Sequence, residues 1–192
     1  MNVLVGVSGG IAAYKAAEIV SKVVGAGGNV RVAMTRSATQ FIGPLTFEAL
    51  TNHPVLIDAL TSGVGDPDNG AVEHVAWAKW ATFAVLAPMT ANTMAKLALG
   101  LADDAVSTVW LALPATVPSV LCPAMNTHMW ENPITQRNKR WLEDSGRHRI
   151  VAPVEKRLAC GDVGVGALAD TADILRAIGL VEASAGVWQA PA

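Results

Sequence analysis

Residues 3–18 read VLVGVSGGIAAYKAAE, and the order of residue types in that stretch decides the architecture. Its first five residues carry no polar break, as in a strand buried on both faces, and lack the alternation of a half-exposed one. Ser8-Gly9-Gly10 ends the run. From Ile11 the apolar positions recur at helical spacing, which predicts a helix over about 11–25. Strand, glycine turn and helix make the first part of a βαβ unit. Adjacent glycines let backbone N–H groups approach an anion at the helix N-terminus, where the helix dipole also favours it. The pattern falls short of G-x-G-x-x-G, so a tight turn with no ligand is the plain alternative.

The same alternation continues along the chain. Short apolar runs predict strands at Val3–Val7, Val30–Met34, Phe83–Ala87, Val120–Cys122 and near Ile150–Val151. Helical spacing predicts helices near 11–25, 45–51, 72–80, 91–99, 103–112, 133–144 and 171–179. Strands that alternate with helices imply an α/β fold with a doubly wound parallel sheet in three layers, whose ligand sits beyond the strand C-termini. Residues 1–180 read as one domain, with 154–170 as a glycine-rich flap and 61–70 as an exposed loop. Residues 181–192 read as a tail, disordered or docked on a neighbour.

A chain of 192 residues suits a single domain that needs no disulfide or metal staple. Hydrophobic residues make up 52% and charged residues 16%, an apolar excess that implies a covered subunit interface. A net charge of −2 gives no field for nucleic acid. Two cysteines are too few for a disulfide framework or a metal cluster. The N-terminal run lacks a basic flank, as a strand does and a signal peptide does not. No apolar stretch reaches membrane-spanning length, so the expected setting is cytoplasmic with no membrane partner.

Three strand ends carry small or hydroxyl residues. After the first come Ser8, Gly9 and Gly10. After the second, AMTRSATQF (33–41) offers Thr35 and Ser37, where a dinucleotide site would place an acidic residue for the ribose diol. Hydroxyls there favour a mononucleotide such as FMN over NAD, with NADP, through Arg36, as a weaker possibility. The third run, LAPMTANTMAKLALGLADD (86–104), sets Thr90, Asn92 and Thr93 at a helix start, where capping by Thr90 is the bland reading.

Three residues stand out as chemical. In PAMNTHMW (123–130) a lone amide, Asn126, is set in an apolar wall of Met and Trp, as small-molecule pockets are lined. An amide so placed must find partners or lose about 1–3 kcal/mol. Cys160, in ACGD, lies in a polar, flexible setting unlike that of a core thiol. His74 precedes the third strand on an amphipathic helix, where histidines are more often structural. Cys122 reads as packing at a strand end, and His53, His128 and His148 have no supporting context.

SGGIAAYK, LAPMTANTMAKLALGLADD, PAMNTHMW and KRLACGD with its following GVGA resemble, over about residues 2–170, the homo-oligomeric flavin-containing cysteine decarboxylases. The resemblance implies a flavodoxin-like fold that binds FMN at the interface of a homotrimer, in some members assembled as a dodecamer of four trimers. Ser8, Gly9, Gly10, Ile11, Thr35 and Ser37 would touch FMN. Thr90, Ala91, Asn92 and Thr93 would hold its phosphate and ribityl chain, and Ala124 would lie against the ring. His74 would be the base, Asn126 would bind the substrate carboxylate, and Cys160 would donate a proton. Met129, Arg157, Leu158 and Ala159 would enclose the substrate.

The implied reaction oxidises a cysteine thiol to a thioaldehyde, whose C=S lies β to the carboxylate and accepts the electrons left by CO₂. Two small-molecule or peptide substrates fit: 4′-phosphopantothenoylcysteine, giving 4′-phosphopantetheine for coenzyme A, and the C-terminal cysteine of a ribosomal peptide. Retention of Cys160 favours the first. A flavin-binding regulatory subunit without turnover is a reading of another class, and a prenyl-FMN-type transferase a more distant enzymatic one.

Overall fold

The computed structural model describes residues 1–58, 73–157, 161, 163–184 and 186–190. The 61–70 loop, Leu158, Ala159 and Cys160 lie outside the described residues. In chain order the elements are β1 (Asn2–Val7), α1 (Lys15–Gly25), β2 (Asn29–Met34), α2 (Pro44–Thr51), α3 (Glu73–Trp80), β3 (Phe83–Met89), α4 (Ala91–Leu99) and α5 (Ala105–Ala112). They continue with β4 (Ser119–Pro123), α6 (Thr127–Glu131), α7 (Pro133–Asp144), β5 (His148–Ile150), β6 (Val154–Arg157), β7 (Val163–Ala167), α8 (Thr171–Ala177), β8 (Val181–Ser184) and β9 (Val187–Gln189). A 3₁₀ turn over Ile11–Tyr14 leads into α1.

Five strands form one parallel sheet in the order β2-β1-β3-β4-β5. Strand direction and side-chain alternation divide its residues between two cores. Val3, Val5 and Val7 of β1 join Val85, Ala87, Val120 and Cys122 on the face covered by α1, α2 and α8. Leu4, Leu86 and Leu121 point the other way, against α3, α4, α5 and α7. Both faces are apolar, so the strands read as continuous runs, not as alternating ones. Gly6 keeps β1 narrow where Trp110 of α5 crosses it: a Cβ there would stand 2.7 Å from the indole ring. In α1, Ala16, Ile19, Val20 and Val23 are fully buried, the i, i+3, i+4, i+7 stripe of a helix laid on a sheet. Truncating Ile19 to Ala would cost about 2–5 kcal/mol.

The expected flap is a hairpin. β6 and β7 pair antiparallel, and β7 is held to the loop after β4 by a hydrogen bond from Met125 N to Gly166 O, 2.9 Å. Within 181–192, expected as a disordered or neighbour-docked tail, Val181–Ser184 and Val187–Gln189 form strands. β8 and β9 form a second hairpin, and its Trp188 is buried in the α1 face with the Arg176 guanidinium 5.7 Å from its ring. Gly186, at φ 74°, makes the turn, a left-handed conformation that suits glycine. No described helix is long and apolar enough to cross a membrane.

Candidate active site

In a sheet of this order the chain turns opposite ways on leaving β1 and β3, and a crevice opens between their C-terminal ends. The molecule has a cleft of about 490 Å³ there. Its base is fixed by Ser8, which is fully buried. The Ser8 hydroxyl donates to Pro88 O at 2.8 Å and accepts from Thr90 N at 2.9 Å. Ser8 therefore ties the ends of β1 and β3 together and does not line the cleft.

Gly9, Gly10, Ile11, Thr90, Ala91, Ala124, Asn126, Met129 and Arg157 of the expected site all line this cleft. Thr35, Ser37, Asn92, Thr93 and His74 do not. The β2 end still abuts it: a Cβ on Gly9 would come within 2.3 Å of Ser37 Oγ, which lies 3.0 Å from Thr35 Oγ1. Thr93 is buried, with its N–H and hydroxyl turned to the Thr90 hydroxyl. Arg36, the group that would have favoured NADP, is engaged by Asp58.

Two helical N-termini meet at the cleft. One is the 3₁₀ turn after Gly10, and the other is the first turn of α4. Thr90 caps α4 by accepting from Thr93 N, and its carbonyl accepts from Met94 N. The N–H groups of Ala91 and Asn92 precede those and have no intrahelical acceptor by helix geometry. A Cβ on Gly10 would meet only Thr90 Cγ2, at 3.7 Å, so the backbone there is open to the cleft. Backbone donors, helix dipoles and hydroxyls suit the phosphate of a mononucleotide. The residues present thus fit the phosphate of the expected mononucleotide.

The opposite wall is the loop and short helix after β4. Asn126 is the N-cap of α6: its Oδ1 accepts from His128 N at 2.9 Å. That cap fixes the amide beside Ala124, Met125 and Met129. The expectation that Trp130 also shields the cleft is corrected. Trp130 packs toward the α3–α4–α5–α7 core, because one residue along the helix turns a side chain about 100° away. The β7 glycines press against this loop. A Cβ on Gly166 would stand 2.2 Å from Met125 O, and one on Gly164 would stand 2.4 Å from Thr127 Oγ1.

His74 lies on α3, half-buried, and its Nδ1 is enclosed with no hydrogen-bond partner among the described residues. Cys122 is buried among the core residues, and burial pushes its thiol far above the range in which a thiolate forms at neutral pH. No metal-binding cluster occurs among the described residues. Sequence reading missed two lysines: Lys15 and Lys156 line the cleft with Arg157, and among the described residues no carboxylate does so. A net charge of −2 concealed a locally cationic site.

The flavoprotein family model matches residues 1–180. A Streptococcus mutans protein named "Probable phosphopantothenoylcysteine decarboxylase" is 47% identical over 177 residues, 92% of this chain and 96% of its own. The coenzyme A biosynthesis bifunctional protein CoaBC of Bacillus subtilis is 45% identical over 175 residues, 91% of this chain; the match spans only 41% of that longer relative. A cysteine-to-serine variant of PPC decarboxylase, solved with pantothenoylaminoethenethiol, superposes with a TM-score of 0.81 at 33% identity, covering 91% of this chain and 94% of its own. The FMN-binding protein AtHal3 gives 0.77 at 33% identity, covering 91% and 92%.

Proposed function

From the chain's membership of the flavoprotein family we infer that it decarboxylates the cysteine carboxylate of 4′-phosphopantothenoylcysteine, giving 4′-phosphopantetheine, with FMN as its flavin. The observation that carries this reading is Asn126, capped into a fixed position in an apolar wall and facing a cleft with backbone donors on its other side. Family membership, the 47% identical relative named for this activity and the TM-score of 0.81 to a PPC decarboxylase support it.

When bound, the flavin supplies a two-electron acceptor that takes a hydride equivalent from the thiol-bearing carbon and later returns it. The chain's own residues do the rest. Asn126 donates its amide N–H to the substrate carboxylate and orients it for loss of CO₂. Ala124, Met125, Met129 and Pro88 give that carboxylate an apolar surrounding, which weakens its solvation and favours departure. His74 takes the thiol proton, and Cys160 returns a proton to carbon after CO₂ has left. A positioned acid or base of this kind is worth about 10²–10⁴-fold in rate.

His74 lies off the cleft of its own chain, so in this reading it serves the cleft of a neighbouring copy. Ile11, Tyr14 and Met129 line the cleft while remaining 49–61% exposed, an apolar rim suited to burial between subunits. Protein reconstituted with FMN and given 4′-phosphopantothenoylcysteine is expected to release one CO₂ per phosphopantetheine formed. Failure to take up FMN, or absence of CO₂ release from the yellow protein, overturns the reading.

A further inference from the structure

We propose that Lys15 and Lys156 form a subsite at the cleft rim for the substrate's phosphate monoester, so that they select the phosphorylated substrate over its dephosphorylated counterpart. The inference rests on the substrate assigned above. Lys15 is the first residue of α1 and Lys156 lies on β6, and the fold brings both to one cleft that Arg157 also lines. Among the described residues no carboxylate lines the cleft with them.

Asp170, just before α8, is their common neighbour. The Lys156 ammonium donates to its Oδ1, and the Asp170 carboxyl is held below its usual range first by that hydrogen bond and then by the Lys156 charge, with a smaller contribution from Lys15. Asp170 does not line the cleft; it holds Lys156 and offsets one positive charge. Lys15 and Arg157 have no ion-pair partner among the described residues. Glu18, on the next turn of α1, instead accepts from the Thr171 hydroxyl at 2.9 Å. Among the described residues, three cations less one carboxylate leave a charge that matches a phosphate dianion.

The flavin phosphate has its own place. The glycine turn and the start of α4 offer backbone N–H groups and hydroxyls at the strand ends, and such a cradle needs no lysine. Lys156 comes from a different element, β6 of the flap. A peptide's C-terminal cysteine brings its carboxylate to Asn126 but no phosphate, so a second anion site is the feature that separates the two substrate classes. Lysine serves phosphate as a point charge.

The test uses the full chain reconstituted with FMN, as wild type, Lys15→Gln, Lys156→Gln and the double variant. The substrates are 4′-phosphopantothenoylcysteine and pantothenoylcysteine, with FMN affinity measured by flavin fluorescence. Each single variant is expected to lower kcat/KM for the phosphorylated substrate about 10-fold, through KM, and the double variant about 100-fold, as for lost charge-assisted contacts. Turnover of pantothenoylcysteine and FMN affinity should stay within twofold, and Lys156→Arg should retain most of the preference. Equal losses on both substrates overturn the proposal, as does weaker FMN binding with the preference intact. Wild-type protein that turns over neither substrate overturns the functional reading and this subsite with it.

Discussion

The cleft beyond the strand ends and a second cavity, between α4, α5 and α7, differ most in what their polar groups are doing. The second holds about 180 Å³ and is lined by Leu97, Leu101, Ser107, Trp110, Trp141, Arg147 and His148 among others. Most of its polar groups are spoken for, although His148 Nδ1 is enclosed with no hydrogen-bond partner among the described residues. Trp110 Nε1 donates to Ser119 Oγ at 3.1 Å, Arg147 donates to Leu113 O, and Ser107 completes a capping box with Asp104. In the larger cleft Lys15, Arg157 and two helix starts face open space, while Lys156 is paired with Asp170. A hollow becomes a site when the fold leaves donors uncommitted around it, and the sheet does so only where neighbouring crossovers part. The smaller cavity is a packing feature of the α5–α7 layer.

That contrast breaks first, if it is wrong, at His74 and Asn126. His74→Asn is expected to lower kcat by about 10²–10⁴-fold. Asn126→Asp keeps the cap of α6, since both residues cap well, and sets a negative charge against the substrate carboxylate. It should lose at least about 100-fold in kcat/KM, with the thermal midpoint unchanged. Because His74 is proposed to act on a neighbouring copy, co-assembled His74→Asn and Asn126→Asp chains should recover part of the activity. Recovery absent at every mixing ratio would return both residues to one chain.

Next in size is the contact between the flap and the Asn126 loop. Gly166→Ala drives a Cβ into Met125 O. Overpacking of this kind costs about 1–3 kcal/mol, and relief by displacing β7 would carry Lys156 and Arg157 away from the cleft. Activity should fall about 10-fold or more while FMN binding persists, as steady-state kinetics and flavin titration would show. Full activity with lowered stability alone would make the contact merely structural.

How much of this was legible in the sequence depended on how local the signal was. Strands β1–β4 of the parallel sheet and the α1, α4 and α7 helices follow from runs and spacing that a buried sheet imposes on every residue. The two hairpins did not show. Gly164 and Gly166 dilute the alternation of β7, and they are there because Met125 and Thr127 leave no room for a side chain, a contact between residues far apart in sequence. Trp188 looked like a loose tail because its pocket is on α1. Gly9, Gly10, Thr90 and Asn126 were readable as chemistry since each breaks the pattern around it. Lys15 was not, because a lysine one turn into a helix looks like any solvated charge until the fold shows what it faces.

In the smaller cavity the effects should be on stability alone. Trp110→Phe removes the donor to Ser119, whose hydroxyl is buried, and should cost about 1–3 kcal/mol in denaturant unfolding. Turnover should stay within twofold of wild type. A large loss of activity would mean that the two hollows are coupled through Gly6, on which the Trp110 ring rests.

His148 gives the smallest effect and tests the same separation by pH. Burial disfavours its imidazolium, and the Arg147 charge adds to this, so its pKa falls from 6.5 to about 4. Between those values the unfolded chain binds a proton that the folded chain refuses. Stability is therefore complete above about pH 6.5, declines as the pH falls, and levels off below about 4. The full shift is worth about 3 kcal/mol, but His148 is only half-buried and solvent screens the charge, leaving about 1–2 kcal/mol. His148→Leu should flatten the stability profile between pH 7 and 4.5 by that amount without altering kcat/KM at pH 7.5. If the slope persists in the variant, acid sensitivity belongs to other groups. If turnover changes with it, the α5–α7 layer reaches the chemistry after all.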